Sequence, residues 1–208
     1  MTAARGTSPS PASFSALILC AGRSSRMGEF KPLLSLDGET VIERVIGLFY
    51  GVGIGQVVVV LGHEAERILP LIGRFGVDPV INTRHDEGMF SSVQTGVSLL
   101  GRGCQAFFIL PADIPLVKPE TLRTLLDVFR QGDADVCRPS FRGRYGHPPL
   151  ISTALIPAIL DFRGPGGLRA LLTCYGDRTV DVAVDDPGIL LDLDNREDYE
   201  RALKTVSG

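Results

Sequence analysis

The 208-residue chain has no tryptophan, and aromatic residues make up only 7% of it. Neither sign of charge dominates: 21 basic against 24 acidic side chains leave a net charge of −3. A broad nucleic-acid-binding surface is therefore not expected, because phosphate contacts need concentrated lysine and arginine. Long hydrophobic runs are also missing. Stretches such as Val57–Leu61 fall far short of the roughly 20 apolar residues that a membrane span requires, so no membrane partner is expected. Cysteine is scarce. Cys20, Cys104, Cys137 and Cys174 show no C-x-x-C or C-x-x-H spacing. That pattern argues against a zinc site or a disulfide framework and for small buried thiols in a reducing compartment. Glycine, in contrast, is abundant: 24 Gly and 14 Pro imply many tight turns, or backbone that comes close to a ligand. With 44% hydrophobic and 22% charged residues, the remainder is ordinary globular composition, enough for one self-sufficient core.

Residues Met1–Ser13 are rich in Ala, Ser, Thr and Pro, and a mostly apolar stretch, Phe14–Ala21, follows. A secretory leader reads similarly. Here the apolar stretch is at the short limit, and Leu19 stands where a lipoprotein signal needs a small residue before Cys20. The expectation is a disordered tail over 1–13, a single domain over 14–205, and a cytoplasmic protein. Along that domain, short apolar runs alternate with amphipathic stretches. Strands are expected at Phe14–Cys20, Gln56–Leu61, Val77–Ile81, Ala106–Leu110, Asp135–Arg138 and Thr179–Val184. Hydrophobicity in Val57–Leu61 and Ala106–Leu110 is continuous rather than alternating, as in parallel strands covered on both faces. Helical periodicity marks Thr40–Tyr50, Glu64–Ile72, Ser91–Leu100, Pro119–Arg130 and Asn195–Lys204, the last with Asn195 as its cap. Strand–helix repetition predicts an α/β fold, a doubly wound and mostly parallel sheet between two helical layers. Such sheets bind ligands beyond the carboxyl ends of their strands.

The loop after the first strand reads Leu19-Cys20-Ala21-Gly22-Arg23-Ser24-Ser25-Arg26-Met27-Gly28-Glu29-Phe30-Lys31. Glycine and serine amides can form an anion nest, and Arg23, Arg26 and Lys31 supply charge for a polyphosphate. A merely solvated basic loop is the competing reading. The spacing is neither a Walker loop nor the G-x-G-x-x-G fingerprint. Further on, Gly88, Met89, Ser91 and Ser92 open a helix and offer hydroxyls and free amides to an anion or ribose, unless they are a simple cap. Pro111-Ala112-Asp113-Ile114-Pro115 fixes a carboxylate behind a buried strand, where it can hold Mg²⁺ or serve as a turn residue. A loop then carries Gly146-His147-Pro148, in which a lone histidine is more often packing than chemistry. Near the end, Asp192-Leu193-Asp194-Asn195-Arg196-Glu197-Asp198 presents two further carboxylates. His63, His85, Asp133, Asp135, Asp185 and Asp186 read as surface or loop residues.

The string L-x-A-G-x-S-S-R-M-G-x-x-K resembles the opening signature of the molybdenum-cofactor type of nucleotidyltransferase, the MobA-like NTP transferase family. E-G-M-x-S-S, P-A-D-x-P, R-x-x-x-G-H-P-x-L and D-x-D-N-R-E-D are similar to its later motifs, spread over residues 17 to 203. Asn195-Arg196 replaces the usual Thr-Pro. The resemblance implies a three-layer sandwich of the nucleotide-diphospho-sugar transferase type and an Mg²⁺-dependent enzyme. Such an enzyme moves a nucleotidyl group from a triphosphate to a phosphorylated acceptor. It implies catalytic roles for Arg26, Lys31 and Asp113, and a nucleotide site of Leu19, Cys20, Ala21, Gly22, Arg23, Ser24, Gly88, Met89, Ser91 and Ser92. It places Gly146 and His147 at the acceptor and the metal on Asp113 and Asp194, with Asp192 the alternative second ligand. In that family L-x-A-G accompanies CTP and L-x-G-G accompanies GTP, so Ala21 implies CTP, with GTP the alternative. The implied acceptor is molybdopterin or its molybdenum form, and a client molybdoenzyme is an implied partner. Other small acceptors, or a non-catalytic nucleotide-binding or cofactor-insertion protein, are the competing readings.

Overall fold

The computed structural model describes residues 13–22, 30–101 and 103–206. In chain order the elements are β1 (Ser13–Cys20), β2 (Ser35–Leu36), β3 (Glu39–Thr40), α1 (Val41–Gly51), β4 (Gln56–Leu61), α2 (Ala65–Ile72), β5 (Asp78–Ile81) and α3 (Met89–Val97). The second half continues with β6 (Cys104–Pro111), α4 (Pro119–Gln131), β7 (Val136–Phe141), β8 (Arg144–Tyr145), β9 (Leu150–Ser152), α5 (Ile156–Asp161), α6 (Gly167–Thr173), β10 (Thr179–Ala183) and α7 (Arg196–Val206).

The main sheet runs β10-β7-β9-β6-β1-β4-β5, with β8 added to β7. β1 pairs in parallel with both β4 and β6, and its side chains alternate between two cores. Ala16, Ile18 and Cys20 face one layer with Ile42, Ile46 and Phe49 of α1, Ile68 of α2, and Leu122 and Leu125 of α4. Leu17 and Leu19 face the other with Val93 and Val97 of α3, Ile159 of α5 and Leu171 of α6. This is the three-layer sandwich. A strand buried on both faces must be apolar throughout, which is why the runs at β1, β4 and β6 are unbroken. Gly96 sets the approach of α3: a Cβ there would lie 2.6 Å from Leu17 Cδ1.

The helix boundaries follow from local chemistry. Thr40 and Glu43 form a reciprocal capping box at α1: Thr40 N–H donates to Glu43 Oε2 at 2.8 Å, and Glu43 N–H donates to Thr40 Oγ1 at 3.4 Å. Pro119 opens α4, where its missing N–H has no intrahelical partner to lose. Asn195 caps α7 as expected, its Oδ1 accepting Asp198 N–H at 3.0 Å.

Two features differ from the sequence reading. β9 is antiparallel and lies between β6 and β7, and α5 and α6 follow it. Three residues after a Pro-Pro pair carry no readable period. Asp186 and Asp135, read as loop residues, are buried at 1% and 6% exposure. Asp186 accepts Lys118 N–H, Thr121 Oγ1–H and Gly188 N–H at 2.8, 2.7 and 2.9 Å, so it caps α4 from across the fold. Asp135 pairs with Arg178 at 3.1 Å. Of the four free cysteines, Cys20 and Cys137 are buried, whereas Cys174 is exposed. Among the described residues, no helix is long and apolar enough to cross a membrane.

Candidate active site

The chain leaves β1 in one direction, through β4 and β5, and returns to β6 on the other side of β1. The carboxyl ends of β1 and β6 therefore flank the point where the winding reverses, and a crevice opens there. It is a cavity of about 380 Å³. Leu19, Cys20, Ala21 and Gly22 line it from β1, and Pro111, Ala112 and Asp113 from β6. Ala112 N–H donates to Leu19 O at 3.0 Å and holds the two strand ends together. Arg23, Ser24, Arg26 and Gly28 lie outside the described residues.

Lys31 enters the crevice from a single 3₁₀ turn, Lys31–Leu33. Although only 8% exposed, it ends between two carboxylates: Nζ is 3.4 Å from Asp113 Oδ2 and 3.0 Å from Asp194 Oδ1. A buried ammonium needs such partners, since a buried charge left wholly unpaired costs on the order of 3–5 kcal/mol. Leu193 N–H donates to Asp113 O at 2.9 Å, which ties the loop bearing Asp194 to the end of β6. Asp198 Oδ2 then accepts the N–H groups of Asp194 and Asn195, both at 3.1 Å. The two carboxylates are thus set by backbone on both sides, and both remain about a third exposed toward the cavity. Asp194, rather than Asp192, reaches Lys31. The Asp192 carboxyl is pushed above its usual range by burial first, then by the charges of Asp194 and Asp113 and a hydrogen bond with Asp194.

The donor set suits a hard divalent ion. Two carboxylates converge on one cationic point, and such an ion takes its remaining ligands from water and phosphate. Among the described residues, no group of three or more His, Cys, Asp and Glu side chains forms a closed protein cage.

The opposite wall comes from the β5–α3 connection, which supplies His85, Gly88, Met89 and Ser92. Gly88 has φ +101°, a backbone region open to glycine. α3 begins at Met89, which is 62% exposed at the mouth. Ser92 lines the cavity, but Ser91 does not: its hydroxyl is used inside the protein, on Arg84 O at 2.9 Å and Gly88 O at 2.8 Å. Gly146 and His147 stand behind this lining rather than in it. A Cβ on Gly146 would lie 2.3 Å from Ile189 O, so the loop packs too closely for any other residue. His147 Nδ1 is buried and has no hydrogen-bond partner among the described residues. Burial pulls the imidazole below its ordinary value, against the opposing pull of the Ile109 backbone and the charges of Asp113 and Asp192. Cys20 is likewise pushed far up, by burial and then by Asp113, so it is an inert wall.

His85 and Asn82 carried no signal of their own in the sequence. His85 was read as a surface residue but lines the cavity, and Asn82 organises the loop above it.

A MobA-like NTP transferase domain matches residues 16–181. The chain belongs to this family. A phosphoenolpyruvate guanylyltransferase of Rubrobacter xylanophilus is 30% identical over 188 residues, covering 86% of this chain and 87% of that protein. The bifunctional protein GlmU of Bordetella petrii is 36% identical over 123 residues, 57% of this chain. The match takes in only 27% of GlmU, so the MobA-like chain corresponds to about a quarter of that longer relative. Among solved structures, a nucleotidyl transferase from Methanothermobacter thermautotrophicus superposes with TM-score 0.81 at 27% identity. That superposition covers 94% of this chain and 98% of the other. The family model, the guanylyltransferase relative and the solved nucleotidyl transferase agree on the fold and on the nucleotidyltransferase class.

Proposed function

We propose that the protein transfers CMP from CTP to the phosphate of molybdopterin or the molybdenum cofactor, releasing pyrophosphate. The observation that supports it most is the Lys31 ammonium held between Asp113 and Asp194 at the winding reversal. An acceptor phosphate oxygen attacks the α-phosphorus; the new P–O bond forms as the bond to the β-phosphate oxygen breaks, and pyrophosphate departs with that electron pair. A phosphate monoester is already ionised near neutral pH, so no general base is needed. The chain's task is positioning and charge. Lys31, with Arg26 and Arg23 of the same motif, offsets charge on the α-phosphate and the leaving pyrophosphate. Asp113 and Asp194 would hold Mg²⁺, which neutralises phosphate charge when bound. Leu19, Cys20, Ala21, Gly22, Gly88, Met89 and Ser92 enclose the nucleotide, and the His147 loop supports the acceptor side from behind that lining. Ala21 is the residue that favours CTP.

A second reading has its own support. The relative aligned along most of both chains is named a phosphoenolpyruvate guanylyltransferase, so GTP and a small phosphorylated carboxylate are the alternative pair. Incubation with CTP or GTP, molybdenum cofactor or phosphoenolpyruvate, and Mg²⁺ separates them by product mass. A cytidylylated cofactor is expected. A guanylylated phosphoenolpyruvate would establish the second reading, and no conjugate from any pair would overturn both.

A further inference from the structure

The wall opposite Asp113 contains a buried amide whose orientation is fixed by its surroundings. Asn82 follows β5 and is 1% exposed. Its Oδ1 accepts the backbone N–H of Arg84 at 2.9 Å, and a backbone N–H can only donate. The other end of the amide is therefore the NH₂ group. Its two protons go to Ser91 Oγ at 2.8 Å and Ser92 Oγ at 3.0 Å. Each serine, accepting from Asn82, must place its single proton elsewhere. Ser91 places its proton within the protein, on the Arg84 and Gly88 carbonyls. Ser92 has no acceptor for its proton among the described residues, and it lines the cavity.

We propose that Asn82 is a positioning residue: it turns the Ser92 hydroxyl proton into the cavity, toward an acceptor atom of the bound nucleoside triphosphate. Two adjacent serines with the same chemistry thereby take different tasks. Ser91 stitches the loop to α3, and Ser92 donates to the ligand. The assignment rests on the nucleotidyltransferase reading.

The substitution that isolates polarity from shape is Asn82→Asp. A carboxylate of the same outline still accepts Arg84 N–H but cannot donate, so both hydroxyls must turn toward it and Ser92 presents a lone pair instead. Calorimetric titration of CTP and GTP with Mg²⁺ should show Kd raised about tenfold, a typical consequence of reversing one hydrogen bond. The kcat at saturating nucleotide should fall much less. The decisive readout is coupling. In a Ser92→Ala background the Asn82→Asp effect on Kd should disappear, whereas in a Ser91→Ala background it should persist. An undiminished effect beside Ser92→Ala overturns the assignment. If Asn82→Asp does not fold, the two serine variants decide alone. Ser92→Ala should weaken nucleotide binding about tenfold with little change in Tm, and Ser91→Ala should lower Tm more and affinity less. The reverse order overturns the proposal. Wild-type protein that binds neither triphosphate overturns the nucleotidyltransferase reading together with this one. Wild-type binding without coupling overturns only the role of Asn82.

Discussion

At the amino ends of the sheet strands, a cavity of about 430 Å³ is lined by Ser13, Phe14, Ser15, Gln56, Cys104 and Arg130, among others. At the carboxyl ends, one of about 380 Å³ is lined by Lys31, Asp113, Asp194 and the start of α3. The volumes are similar, yet the chemistry is opposite. At the amino end, Gln56 closes its own account: Oε1 accepts Ser15 Oγ–H and Gly101 N–H, both at 3.1 Å. Its Nε2 donates to Asp78 Oδ2 at 2.9 Å and Leu99 O at 3.1 Å. Among the described residues, no buried side-chain nitrogen or oxygen there lacks a partner. The carboxyl end holds a buried ammonium, two carboxylates aimed at it, a carboxyl pushed toward its protonated form, and a buried histidine nitrogen that has no partner among the described residues. Buried, converging charges beside an open crevice mark the end that is built for a ligand, and cavity size does not.

The sharpest way to break that comparison is to remove one polar side-chain group from each end. Asp113→Asn should lower kcat on the order of 10²–10³-fold, the usual cost of losing one electrostatic contact to a developing charge. The Tm should change little, because Lys31 keeps Asp194. Gln56→Ala should instead cost about 1–2 kcal/mol in urea denaturation while the folded enzyme keeps its kcat. If the two variants impaired turnover equally, the distinction between the ends would be lost. Between these two in size lies Asp186→Ala, which should cost about 3 kcal/mol by leaving the Lys118, Thr121 and Gly188 donors buried without an acceptor. Because Asp186 caps α4 rather than lining the crevice, its variant should melt early but turn over normally below its Tm.

The same contrast explains what the sequence could disclose. β1, β4 and β6 were legible because burial on both faces demands unbroken apolar runs. Asn195 was legible because capping is a contact over three residues. The order of motifs at strand ends pointed to the crevice, and Lys31, Asp113 and Asp194 do meet there. Asp186 was not legible as a cap of α4, since Lys118 and Thr121 stand 68 and 65 positions away in sequence. Nor was His85, which enters the wall only because β5 delivers its loop beside Ala21: a Cβ on Gly62 would lie 2.9 Å from both Ala21 Cβ and His85 Cβ. Ser91 and Ser92 looked alike because a hydrogen-bond direction is fixed by a third residue, Asn82, and not by the pair itself. The antiparallel β9 left no trace because three residues cannot establish a period.

Glu43 provides a smaller test, away from both cavities. Its carboxyl is held below the ordinary value near 4.5, chiefly by the Thr40 backbone N–H, then by the Thr40 hydroxyl and Arg74. A depressed folded value means that the unfolded chain binds the proton more readily. The stabilisation is therefore complete above the ordinary value and is lost as pH falls through the lowered one. Glu43→Gln should cost about 1 kcal/mol at pH 7, the worth of a cap, and progressively less as the pH falls below the ordinary carboxylate value and through the lowered one. A cost that grew on acidification would contradict the capping box.

The finest distinction concerns a single methyl group within the carboxyl-end cavity. Ala21 is 6% exposed, and its Cβ belongs to the cavity wall beside Gly62. Its carbonyl is tied to His63 N–H at 3.4 Å, so the methyl cannot easily swing aside. A purine base needs more room than a pyrimidine, and removing the methyl gives that room without touching Lys31, Asp113 or Asp194. Ala21→Gly should therefore shift the CTP-to-GTP ratio of kcat/KM toward GTP by roughly fivefold, at the low end of what one carbon is worth in a pocket. The shift should come from a lower KM for GTP rather than a higher kcat, since the methyl touches no reacting atom in the proposed step. A ratio unchanged by Ala21→Gly would move base selection to the opposite wall, at Gly88 and Met89. A parent enzyme already preferring GTP would favour the guanylyl reading outright.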